Sequence, residues 1–126
     1  MKDKQEEINT VNIQLIALLF ALVSAIISIV ITYNQKLDLE GDNTTDPKKI
    51  FNLTVFNRIL ILVLSLIFLY VNYKLYNISK KEGEDLKSYI LQIIASILTV
   101  ITSLIALYVV SLSSKENIVD IENPII

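Results

Sequence analysis

The 126-residue chain contains no cysteine and no histidine. The first absence excludes disulfides, thiol catalysis and thiolate metal sites. The second removes imidazole ligands and the usual base that titrates near neutrality. Acids are present, but none falls inside the long apolar runs, which argues against proton-coupled transport and carboxylate-based lipid chemistry within a bilayer. The lysines and serines form no recognisable nucleophile–base motif. The chain therefore reads as a non-enzyme with no catalytic residue, no metal site and no cofactor. A net charge of −2 without a basic stripe gives nucleic acid no footprint.

What is present is apolar. The chain is 53% hydrophobic with a mean hydropathy of +0.58, above the roughly 45–50% apolar usage of soluble domains. The excess falls in three blocks. This pattern predicts an all-α integral membrane protein, a single domain over residues 1–126. Three transmembrane helices at about 12–33, 51–76 and 88–113 form a compact bundle with short polar loops, followed by a flexible tail at 115–126.

Met1–Asn9 is a short charged head, and Ile8–Gln35 carries no charge. Val23-Ser24-Ala25 would suit a signal peptidase. The apolar run continues through Ile26–Ile31, however, and the head holds acids as well as lysines, so an uncleaved helix is expected. In the second block Asp46-Pro47 is a helix start: a capping acid, then proline where no amide hydrogen is needed. Its charge-free core, Ile59–Tyr73, is too short to span alone, so Arg58 and Lys74 are expected to snorkel to opposite interfaces. The third block, Ser88–Ser114, has no charge. Asn77–Lys87, with Gly83 in its middle, is a polar turn that makes helices two and three antiparallel neighbours.

Three constellations are candidates for function. Gln14, Asn72 and Gln92 place one carboxamide on each helix near the same end, an intramembrane polar cluster that would hold the bundle together or form a polar mouth. Small residues form two seams for close helix packing or a pore lining: Ala17, Ala21, Ser24, Ala25 and Ser28 on helix one, and Ser96, Thr99, Ser103 and Ala106, in a row with Gln92, on helix three. Ala95, Thr102 and Ala106 would add a second small face for contacts between chains. Helix two is bulkier, which predicts an outer, lipid-facing position. Arg58, with Asn57, is the third candidate, an interfacial cation.

Other features carry less. Asp38–Asp46 is acidic but lacks EF-hand spacing, so it reads as a solvated loop. Asn43, Asn52 and Asn77 fit glycosylation sequons, but the Ile/Lys/Asn-rich usage suggests a bacterial genome. Tyr33, Tyr73, Tyr76, Tyr89 and Tyr108 fall near helix ends as interface anchors. Ile13–Ala17 aligns with Leu91–Ala95, a likeness that Ile/Leu-rich helices share by chance. The tail beyond Lys115 is rich in isoleucine and could seat on a partner.

Cations number six on the side of the N-terminus and second loop against five on the other. The compact lysine-bearing loop favours a multi-pass protein of the cell membrane with its N-terminus cytoplasmic. The expected function is a small non-enzymatic membrane protein that self-associates as a homo-oligomer or serves as the membrane subunit of a partner protein, in contact with membrane lipids. The alternative is a small oligomeric pore or channel lined by the Ser/Thr/Gln seams, a holin-like role suggested by size alone.

Overall fold

The computed structural model describes residues 2–41 and 46–112. Three helices follow in order: α1 (Lys2–Leu39), α2 (Pro47–Lys81) and α3 (Lys87–Leu112). Among the described residues there is no strand. Each helix is long and apolar enough to cross a membrane.

The helices are longer than the apolar blocks alone suggest. The expected head is already helical from Lys2, because Lys, Gln and Glu are good helix formers and the first turns support one another. Gln5 donates to the side chain of Asn9, and Thr10 donates to the carbonyl of Glu6. At the start of α2 Asp46 accepts from the amide of Lys48 at 3.0 Å, and Pro47 follows, as the sequence requires. The end of α2 is set by Gly83 at φ +73. The amide of Glu84 reaches the carbonyl of Ser79, and that of Gly83 reaches Lys80. This crossed pair needs a left-handed residue, which glycine supplies without strain. Asp85 then accepts from the amide of Lys87 to open α3. The turn is therefore Glu82–Leu86, shorter than Asn77–Lys87, and α2 and α3 are antiparallel neighbours.

α2 is the central helix. It packs against both α1 and α3, and those two pairs form the principal interfaces. This corrects the expected outer position of helix two. Its buried residues other than Thr54 lie on two adjacent stripes, each repeating every seventh residue. The first is Ile50, Asn57, Leu64, Val71 and Ile78; the second includes Arg58, Ser65 and Ser79, with Asn72 partly buried. Asn57 holds α1, and Asn72 holds α3. A helix between two others must bury two faces, and bulky side chains fit there because the flanking helices present small ones.

The flanking seams show the same period. Thr10, Ala17, Ser24 and Ile31 are buried on α1, and Ser96, Ser103 and Val110 on α3. A seven-residue repeat is the period of left-handed coiled packing. The two seams correspond one residue out of step with the Ile13/Leu91 alignment: Ala17 matches Ser96, Ser24 matches Ser103, and Ile31 matches Val110. At one end of the bundle Ile31, Ile50 and Val110 form an apolar cluster drawn from all three helices.

Candidate functional site: the polar interior and the groove beside it

The antiparallel register of α1 on α2 follows from three pairings. Glu6 meets Lys74 at 3.0 Å, Ser24 meets Asn57, and Ile31 clusters with Ile50. Lys74 thus pairs with an acid on the neighbouring helix, and both side chains are about one-third exposed.

Asn57 is the hub of the interior. It is 1% exposed, and its carboxamide oxygen accepts from the Ser24 hydroxyl at 2.7 Å while its nitrogen donates to Ser28 at 2.9 Å. An amide buried among aliphatic side chains is costly unless paired, and here both ends are paired across the α1–α2 interface. In the sequence Asn57 stands out only as the companion of Arg58. The available signal was the four-residue step from Ser24 to Ser28, which spaces two hydroxyls to bracket one carboxamide on a facing helix.

The three predicted amides are not joined to one another by any hydrogen bond the structure gives. Asn72 donates instead to Ser96, which itself donates to the carbonyl of Gln92 at 2.9 Å. Gln14 is half-buried and the Gln92 side chain is exposed. Continuing the register sets Gln14 opposite Ile67 on α2. Gln92 lies one helical turn from Ser96, away from that level. The helices thus carry their amides at different depths, so no single polar mouth forms.

Arg58 departs most from the sequence expectation. It is 4% exposed, inside the bundle rather than snorkelling outward. The same register places it opposite Val23, close to the middle of the charge-free Ile8–Gln35 stretch of α1. On α2 alone it looks terminal because the charge-free core begins at Ile59. Against its neighbour it is central.

The seams divide between the interior and an open groove. Ala17, Ser24, Ser28, Ser96, Ser103 and Ala106 are buried, Ala21 is half-buried, and Ala25 and Thr99 are exposed. Within the α3 row the buried side is therefore the Ser96/Ser103 side, while Gln92 and Thr99 turn away from it. Ala95 and Thr102 are exposed as well. A groove of about 800 Å³ follows α1 from Ala21 to Lys36, is floored by Ile61, Leu64, Ser65 and Phe68 of α2, and reaches Thr99 of α3. Of the hydroxyls along it, those of Ser24, Ser28, Ser65 and Thr99 are engaged within the chain. Ser24 donates to Asn57, Ser65 to the carbonyl of Leu62 at 2.7 Å, and Thr99 to the carbonyl of Ala95 at 2.9 Å. Thr102 and Ser103 likewise donate to carbonyls one turn back. Such back-bonding leaves methyl and methylene groups facing the space.

The acidic-loop reading falls partly on residues 42–45, and the tail reading on residues 115–126; both lie outside the described residues. The arrangement as a whole is that of an all-helical chain with three membrane-length helices ordered about a central one. Compared with protein-family models, with curated proteins and with solved structures, the chain finds no match.

Proposed function

We propose that the chain is a non-enzymatic membrane-embedded assembly module: three helices that cross the cell membrane, with the N-terminus cytoplasmic, and that associate side by side with further copies. The observation that carries this reading is the division of small residues. Those on one side of α1 and α3 are buried against α2, yet Ala95 and Thr102 remain exposed on α3, seven residues apart on one face. In lipid, apolarity alone gives helices no reason to associate. Small residues do so by letting backbones approach closely. Copies inserted in the same orientation bring this face to the same depth, so a symmetric pair can close on it.

A membrane partner protein presenting a similar small face would satisfy the same surface. The pore reading draws less support. A water-filled lining needs hydroxyls free to replace hydration, whereas those of Ser24, Ser65, Thr99, Thr102 and Ser103 are bonded within the chain.

The test is the detergent-corrected mass of the purified protein, native against an Ala95→Leu/Thr102→Leu double variant. Native protein heavier than one chain, and a variant reduced toward one chain with unchanged helix content, are the expected results. An unchanged mass in the variant removes α3 as the association face. A native monomer sends the reading to a partner protein.

A further inference from the structure

We infer that the groove on α1 is a binding site for one phospholipid, with the phosphate at Lys36 and the acyl chains lying along the groove. Three observations converge on an amphiphile with a single charged head. First, the groove has a charge at one end only: Lys36 lines it, next to Tyr33, and Lys36 is the first charged residue on α1 after Glu7. A cation and a phenol at the end of a charge-free stretch stand at the headgroup level of a bilayer, where both side chains are favoured. Second, the remaining surface offers carbon. Ala25, Ile29, Leu64 and Phe68 supply it, the hydroxyls of Ser24, Ser28, Ser65 and Thr99 are engaged within the chain, and Thr32 lies one turn from Lys36, toward the charged end. Third, the dimensions fit. From Lys36 to Ala21 the groove follows α1 for about 22 Å, which matches one leaflet, half of the ~40–45 Å bilayer.

A helix from a second copy would also find an apolar surface here, but it has no need of a cation at one end. A phosphate does, because a lysine ammonium forms charge-assisted hydrogen bonds to its oxygens. This inference is independent of the association face on α3.

The experiment is native mass spectrometry of the full chain in detergent, titrated with phosphatidylglycerol and, separately, with diacylglycerol of the same acyl chains. One saturable phosphatidylglycerol adduct per chain is expected, with diacylglycerol bound about tenfold more weakly. Lys36→Gln should weaken phosphatidylglycerol by about five- to tenfold and bring the two lipids together, whereas Lys48→Gln should change neither. Ala25→Phe fills the groove from an exposed wall position and should abolish the saturable adduct. Leu22→Phe, on the same helix but not lining the groove, should leave it intact. Three results would overturn the proposal: a graded, non-saturating adduct series; equal effects of Ala25→Phe and Leu22→Phe; or an Ala25→Phe variant that loses associated chains while retaining lipid. The last outcome would assign the groove to a second copy. If Ala25→Phe fails to fold, the Lys36→Gln titration decides alone.

Discussion

Asn57 on α2 accepts a hydrogen bond from Ser24 on α1 at 2.7 Å and, through the same carboxamide, donates to Ser28 one turn away. The bracket fixes the register of α1 on α2, one residue before the buried Arg58. Interhelical hydrogen bonds between membrane helices contribute about 0.6 kcal/mol on average and up to about 1.7 kcal/mol. Asn57→Leu should therefore destabilise the fold by about 1–2 kcal/mol. A double-mutant cycle with Ser24→Ala should return a coupling near 0.6 kcal/mol. Unfolding of the detergent-solubilised protein monitored by circular dichroism measures both. A coupling of zero would mean that the pair contributes packing alone.

The amides make a second, contrasting set. Asn72 is bonded to Ser96 across the α2–α3 interface, while Gln92 is exposed and Gln14 half-buried. Asn72→Leu should lower stability by about 1 kcal/mol, and Gln14→Leu and Gln92→Leu by less than about 0.5 kcal/mol each. Three melting curves decide the matter. A large loss at Gln14 or Gln92 would restore the idea of a joint amide cluster.

Arg58, at 4% exposure, should be unreachable from either aqueous phase. The absence of native cysteine makes this directly testable. In membranes, Arg58→Cys should resist a water-soluble maleimide while Lys48→Cys, exposed near the start of α2, is labelled. Equal labelling of the two would place Arg58 at the interface after all.

Under the proposed three-crossing topology the α1–α2 and α2–α3 connections fall on opposite sides. With the N-terminus cytoplasmic, Lys48→Cys is labelled in intact cells by the impermeant reagent, and Glu84→Cys only after permeabilisation. The reverse pattern would invert the orientation, and labelling of both in intact cells would eliminate the central crossing by α2.

Much of this architecture was legible in the sequence. The three blocks gave three helices, Asp46-Pro47 marked a start, and Gly83 marked a turn. Membrane length was likewise readable from charge-free runs. The order of the helices was not, and the reason is physical. Residue size taken one helix at a time marks small seams as packing faces and a bulky helix as peripheral, without saying which helix lies between the other two. In the structure a small seam on α1 and another on α3 each receive the large side chains of α2. The seven-residue repeats Ile50/Asn57/Leu64/Val71/Ile78 and Arg58/Ser65/Ser79 were visible as spacing, and two adjacent stripes on one helix already imply two neighbours. The burial of Arg58 is hidden in the sequence for a related reason. Its depth depends on the helix opposite, and only the pairing of Ser24 with Asn57 reveals that register.

In the proposed assembly exposed Ala95 on α3 faces a second copy, and single-cysteine cross-linking in native membranes reads out that contact. With no other thiol in the chain, any disulfide joins two copies. Ala95→Cys should form a covalent dimer on mild oxidation, whereas Ser103→Cys, buried against α2, should remain monomeric under the same conditions. A monomeric Ala95→Cys, or equal dimer formation from both positions, would remove this face of α3 as the contact between copies.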